Sequence, residues 1–194
     1  PALAEIRSSN NIINNELQPE NGWNYETGLR FRTHNNLVWW DVSVFYYLLN
    51  DAIVRRVNEA EQEYFINAGG TKQAGLESQL MLQLMADRKT TFIRGLYLNN
   101  SLTYSDFKFN NYSINTTDYS GNMLTGVPST IFVSGLMLKL PAQLYLFLQH
   151  NFTSFIFLDD ANSIAAGGYH LFMVKGGWKF IQNAHFSLEL SGGV

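Results

Sequence analysis

Gly22-Trp23-Asn24-Tyr25-Glu26-Thr27-Gly28-Leu29-Arg30-Phe31-Arg32 decides the fold. Trp23, Tyr25, Thr27, Leu29 and Phe31 fall on one parity, and Asn24, Glu26, Gly28, Arg30 and Arg32 on the other. A strand turns successive side chains to opposite faces, so this spacing predicts an extended segment with one apolar and one polar face. A helix would scatter the two sets around its circumference. Working outward, a short turn at His34-Asn35-Asn36 leads to Val38, Trp40, Val42, Val44, Tyr46 and Leu48, which oppose Trp39, Asp41, Ser43, Phe45 and Tyr47.

The same rhythm returns downstream. Leu76, Ser78, Leu80, Leu82 and Leu84 oppose Glu77, Gln79, Met81 and Gln83, and near the end Phe186, Leu188 and Leu190 oppose Ser187, Glu189 and Ser191. Further strands are predicted over 91–104, 130–140, 143–157 and 169–180, about eight in all at the length of a tilted membrane strand. Strands of soluble proteins average about five to six residues, and several of these exceed ten. Short turns alternate with long polar connections over 50–67, 105–127 and 158–168, the asymmetry of an outer-membrane barrel with its long loops outside. Trp23, Tyr25, Trp40, Tyr46 and Trp178 stand near strand ends, where such barrels carry aromatic girdles. Pro19 and Pro128 precede strands, where a missing N–H costs least. Glu26, Arg30, Arg32 and Glu77 are expected to face a polar interior, with Gly28 and Gly75 admitting bulky neighbours.

Composition agrees. The 194 residues are 14% aromatic and 15% charged, where soluble domains carry about 25% charge. Net charge is −3, and no basic cluster is dense enough to follow a phosphate backbone, so nucleic acid is not an expected partner. Without cysteine there are no disulfides or thiolate metal sites, which leaves the compartment open. No apolar run approaches the roughly 20 residues of a membrane-spanning helix. Pro1-Ala2-Leu3-Ala4 is no export signal, so that signal is expected outside the chain, and both ends read as cut edges. A soluble antiparallel barrel or sandwich is the competing fold. Strand length, low charge and the girdle positions weigh against it.

Enzymatic parts are missing. His34, His150, His170 and His185 are scattered, with none at metal-ligand spacing. Asp159-Asp160 lacks the oxygen spacing of a calcium loop and reads as a solvated turn. There is no Gly-x-Ser-x-Gly elbow and no phosphate loop, hence no enzyme and no cofactor is expected.

In order along the chain, Leu17-Gln18-Pro19-Glu20, Tyr25-Glu26-Thr27-Gly28-Leu29, Val44-Phe45-Tyr46 with Ile53, Asn67-Ala68-Gly69 with Gly75-Leu76-Glu77, Leu102-Thr103-Tyr104 and Gly126-Val127-Pro128 resemble the C-terminal half of TonB-dependent receptors. The resemblance implies an all-β fold, an antiparallel up-and-down transmembrane β-barrel segment, with residues 1–194 a partial barrel domain. The family's barrel has about 22 strands around a plug. The plug, the TonB-contacting segment and the terminal strand are expected outside this chain. The implied function is TonB-dependent uptake of an iron complex such as a siderophore across the bacterial outer membrane. The implied partners are outer-membrane lipid, an iron-siderophore-type ligand, and TonB through the N-terminal region. A passive porin-like or adhesive barrel is the alternative, and a soluble lipocalin-like carrier a third reading. Loops on a rigid barrel carry recognition. The 105–127 connection, with Phe107, Phe109, Tyr112 and Tyr119 among polar residues, is therefore the candidate binding surface. Phe109, Tyr112, Tyr119 and, from the 50–67 loop, Tyr64 are the candidate ligand-binding residues. Arg55 and Arg56 beside Tyr64 would attract an anionic chelate, against which Glu59, Glu61 and Glu63 act.

Overall fold

The computed structural model describes residues 15–57, 61–67, 69–85, 88, 90–114, 116–182 and 186–194. Its strands are β1 (Asn21–Arg32), β2 (Val38–Asn50), β3 (Ile53–Val57), β4 (Glu63–Asn67), β5 (Gly70–Met85), β6 (Gly95–Asn110), β7 (Ser113–Ile114), β8 (Thr117–Asp118), β9 (Thr130–Lys139), β10 (Leu144–Thr153), β11 (Ile156–Phe157), β12 (Ala165–Ala166), β13 (Tyr169–Gln182) and β14 (Ser187–Gly193). Eight of them form one sheet in the order β1-β2-β5-β6-β9-β10-β13-β14, and the other six form three small hairpins in the connections. Neighbours in the large sheet run antiparallel, as an up-and-down topology requires. A single 3-10 turn, Pro141–Gln143, joins β9 to β10. Among the described residues no helix is long and apolar enough to cross a membrane.

Register converts the alternation in the sequence into two continuous faces. Val38, Leu82, Leu98, Leu136, Leu148 and Val174 line up across six strands. One residue along, Trp39, Met81, Asn99, Gly135, Gln149 and Met173 form the matching row on the other side. Further along, that second face carries Arg30, Asp41, Gln79 and Ser101 in one row, with Arg30 ion-paired to Asp41 across β1 and β2. The parities expected for β1, β2 and β5 are those observed.

The apolar face is not packed against a second layer. Leu17, Ala52 and Tyr112 are the buried apolar residues among those described, and all three lie outside the large sheet. Trp23 and Leu190 are each 68% exposed, and Phe172 75%. A soluble sandwich of this size would bury such side chains between its sheets. This sheet turns them outward instead.

Several boundaries differ from the sequence reading. Residues 105–110, expected in a loop, continue β6, and β5 begins at Gly70 opposite Asn110. Phe107 and Phe109 fall on the polar-face parity, in register with Gln73 and Thr71, and the hairpin of β5 and β6 stands taller than its apolar core predicts. Residues 91–94 precede β6 instead of belonging to it, and the 143–157 strand breaks after Thr153. The 50–67 connection holds the β3–β4 hairpin. Parts of the turns at 87–90 and 182–185 lie outside the described residues.

Two glycines on the polar face are required by close approach. A Cβ on Gly75 would overlap the Phe45 ring and come within 2.8 Å of the Tyr104 carbonyl oxygen, and one on Gly177 would meet the Tyr145 ring. Each ring lies over its cross-strand glycine, since Phe45 is in register with Gly75 and Tyr145 with Gly177. Gly75→Val is expected to destabilise the folded protein by about 1–3 kcal/mol through overpacking, while Gly192→Ala, which meets nothing within 4 Å, leaves it unchanged. The thermal unfolding midpoint of the detergent-solubilised full-length protein measures the difference.

Candidate functional site

The candidate surface lies at the loop end of the sheet, where the chain after β6 folds back on that strand. Leu124 N–H donates to the Phe107 carbonyl, Phe109 N–H to the Asn122 carbonyl, and Gly121 N–H to the Phe109 carbonyl. Within this returning segment, Tyr119 N–H donates to the Tyr112 carbonyl and Tyr112 N–H to Ser120 Oγ. Left-handed backbone at Asn111 and Gly121 makes these reversals possible.

Three of the four expected aromatics meet here. Phe109 and Tyr112 stack with ring centroids 4.4 Å apart, and Tyr119 lies 6.0 Å from Tyr112. Their accessibility differs. Tyr112 is buried at 1% exposure, whereas Phe109 and Tyr119 are half-buried. Tyr64 stands apart on β4, in register with Arg56 and 37% exposed. Glu59, expected to offset the arginines beside it, lies outside the described residues.

Sequence reading missed the group that ties this loop down. Tyr112 O–H donates to Asp160 Oδ2 at 2.7 Å, Thr125 O–H to Asp160 Oδ1 at 2.7 Å, and Asn122 Nδ2 to the Asp160 carbonyl at 2.8 Å. Asn162 repeats the pattern, accepting from Met123 N–H at 2.7 Å and donating to the Met123 carbonyl at 2.9 Å. Gly126 N–H donates to the Phe157 carbonyl. The connection after β6 and the one after β10 are thus stapled into one body by side chains 35 to 48 residues apart. Asp159-Asp160 therefore is more than a solvated turn. Asp160 joins the loops, and Asp159 caps its own, accepting from Ser163 and from Ile164 N–H.

The 50–67 connection has its own fastening. Asn67 Nδ2 donates to the Gln18 and Asp51 carbonyls, its Oδ1 accepts from Gln18 N–H, and Glu20 Oε1 accepts from Ile53 N–H. The Leu17-Gln18-Pro19-Glu20 and Asn67 patterns, far apart in sequence, meet at the base of this hairpin. Glu26, Phe45 and Glu77 likewise converge on a recess of about 330 Å³ on the polar face.

Two of the four scattered histidines also come together. His150 Nε2 and His170 Nδ1 are 2.8 Å apart on the apolar face, with the rings stacked and Phe172 over His150. Twenty residues separate them in sequence, which hid the pair. They share a hydrogen bond, and among the described residues no three metal-ligating side chains cluster anywhere.

Ser163 and Ile164 hold the Asp159 carboxyl below the ordinary aspartate range, and hydrogen bonds from Ser120 do the same to Asp118. A depressed folded value means that the stabilisation is fully present above the ordinary range and is lost as pH falls through the lower, folded one. Pepsin cleavage within 158–164 should therefore stay slow on acidification to about pH 4 and rise only below it. Asp159→Ala should be cut readily throughout. Identical cleavage of both proteins at every pH would show that the cap does not order this loop.

The family model described as TonB dependent receptor-like, beta-barrel matches residues 1–194. Among solved structures, the ferric yersiniabactin uptake receptor FyuA from Yersinia pestis superposes with a TM-score of 0.64 at 18% identity, over 90% of this chain and 29% of its own. The siderophore receptor PiuA from Acinetobacter baumannii gives 0.68 at 20% identity, over 93% and 25%. The copper transporter OprC gives 0.71 at 16% identity, over 100% and 28%. This chain thus spans between a quarter and a third of each of these proteins. No curated protein matches it.

Proposed function

The chain belongs to the TonB-dependent receptor β-barrel family, and from that premise we propose that it is part of a bacterial outer-membrane receptor importing a metal complex, an iron chelate of the siderophore type. The observation that carries the membrane location is the exposed apolar face. The chain buries only Leu17, Ala52 and Tyr112 among its described apolar residues and leaves a continuous row of leucines and valines outward. In water such a face drives aggregation, whereas lipid tails accept it without loss. The polar face, with its paired Arg30 and Asp41, then looks into the barrel. TonB would act through the receptor's N-terminal region.

Ligand recognition is assigned to the stapled loops. Phe109 and Tyr119 offer partly open rings beside hydrogen-bonding side chains, the combination that holds compact organic chelates. Tyr112 supports them from beneath as a positioning residue, its ring stacked on Phe109 and its hydroxyl held by Asp160. Tyr64 contributes from the neighbouring hairpin. The uptake receptor, siderophore receptor and copper transporter that share this fold support import of a metal complex as the class of activity.

Location is tested by one charge on either face. Leu82→Arg should impair insertion by about 2–4 kcal/mol if it lies near the bilayer midplane, while Gln83→Arg, on the polar face, is tolerated. The heat-modifiable, folded fraction in outer-membrane preparations reports both. Equal loss at the two positions would sink the assignment of faces.

Recognition is tested in the full-length receptor by comparing Tyr119→Ala and Phe109→Ala with the parent. Each should weaken binding of the iron chelate by about 1–2 kcal/mol with assembly intact, and replacing the connection after β6 by a short linker should abolish it. Unchanged chelate affinity with the linker in place would move recognition to other loops. Uptake that persists after TonB is removed would instead point to a passive channel.

A further inference from the structure

The outward face carries one row that does not fit its surroundings. Asn100, Ser134 and His150 are aligned across β6, β9 and β10, and His170 of β13 lies diagonally beside His150. Leu98, Leu136, Leu148 and Val174 form the row on the turn side, and Leu102, Phe132 and Phe152 the row on the loop side. The polar groups are thus enclosed by apolar ones above and below. Measured from Leu144, whose cross-strand partner Trp178 marks the turn-side rim, His150 lies roughly 15 Å up the barrel wall, inside an apolar band about 25 Å tall.

Lipid tails offer such groups nothing to bond to. Elsewhere on this face the sheet meets the need by itself: Trp40 Nε1 donates to Ser78 Oγ at 2.8 Å. The two histidines bond to each other through His150 Nε2 and His170 Nδ1, which leaves His150 Nδ1 and His170 Nε2 without a partner. Among the described residues neither the Asn100 amide nor the Ser134 hydroxyl hydrogen-bonds to another side chain or to the backbone. A second feature lies on the same face nearer the turns. Gly176 stands between Leu146 and Gly192 in the register, and a Cβ on it would meet only the Tyr145 carbonyl oxygen, at 4.0 Å. Nothing inside the chain requires this glycine, unlike Gly75 and Gly177. A glycine in a strand interior weakens the sheet and often marks a place where another backbone comes close.

Whatever covers this patch lies in the membrane beside the wall and presents hydrogen-bonding groups at the same depth. A plug or a ligand in the lumen reaches only the other face. Asparagine and serine side chains donate and accept, and a neutral imidazole does both, so the row is complementary to itself. The membrane supplies the orientation. Copies inserted with their loops on the same side are related by an axis along the membrane normal, which preserves depth and sets the row against its own counterpart. We propose that Asn100, Ser134, His150 and His170, with the notch at Gly176 below them, form the contact between two copies of this chain's receptor in the outer membrane. Ser134, central in the row, meets its counterpart near the axis. The contact rests on the apolar face being the outward one, as the proposed function has it.

The test uses Ser134→Cys in the full-length receptor with any other cysteines replaced, oxidised in outer-membrane preparations and resolved without reductant. A disulfide-linked species with the mass of two copies is expected, and none from Val42→Cys elsewhere on the same face. Light scattering of the parent in mild detergent should also give two copies per particle. The combined variant Asn100→Leu, Ser134→Ala, His150→Leu should associate about tenfold more weakly while its heat-modifiable fraction matches the parent's, because lipid accepts the apolar side chains. The proposal is overturned if Ser134→Cys stays monomeric on oxidation, if its adduct contains a different protein, or if the combined variant associates as the parent does. Should Ser134→Cys fail to assemble, light scattering decides alone, and a monomeric parent overturns the proposal. Equal loss of insertion from Leu82→Arg and Gln83→Arg would instead strike the membrane location, so the two readings fail in different experiments.

Discussion

Register between neighbouring strands is the constraint on which everything else rests. Side chains alternate with a period of two, so a slip of one residue in any pair would carry leucines to the polar face and glutamates to the apolar one. The row from Val38 through Leu82, Leu98, Leu136 and Leu148 to Val174 exists only because six strands are aligned to the residue. The aromatic rings lying over Gly75 and Gly177 help pin that alignment, since a bulkier cross-strand neighbour leaves no room for them. The ladder satisfies the backbone polar groups within the sheet, which lets one face turn toward a medium that offers no hydrogen bonds. Fold and environment are in this sense one statement.

From this frame the two ends of the sheet acquire different chemistry. The loop end gathers aromatic rings, hydroxyls and amides, with the buried Tyr112 bonded to a half-buried Asp160 at their junction. The turn end gathers lysines and arginines around a hollow. Between them the polar face carries the Arg30–Asp41 ion pair and the carboxylates Glu26 and Glu77. A rigid, two-faced sheet separates these regions by the length of its strands and prevents either from collapsing onto the other.

Much of the fold could be read from the chain, because alternation is a local signal. The eight strands, their parities and the long-loop, short-turn asymmetry all follow from neighbours within a dozen residues. The upper ends of β5 and β6 did not stand out: Gly70, Thr71, Lys72 and Gln73 offer no apolar contrast, and Ser105 and Asp106 look like the start of a loop. Their strand character comes from pairing with each other. The site was less legible. The loop aromatics Phe109, Tyr112 and Tyr119 could be picked out by composition, but nothing nearby announces that Tyr112 is enclosed, since its enclosure depends on Asp160, 48 residues away. The His150–His170 pair and the cationic recess have the same origin, contacts across strands that only the register creates.

The staple has a consequence for how such a protein varies over generations. Surface loops ordinarily drift in length independently, each free to gain or lose residues. Here Asp160 and Asn162 grip Tyr112, Asn122, Met123 and Thr125 by both side chain and main chain. An insertion between these grip points in one connection would pull its partners out of reach unless the other changed with it. The two connections are therefore a single heritable unit, and a new specificity at this end of the molecule would be acquired by exchanging the pair.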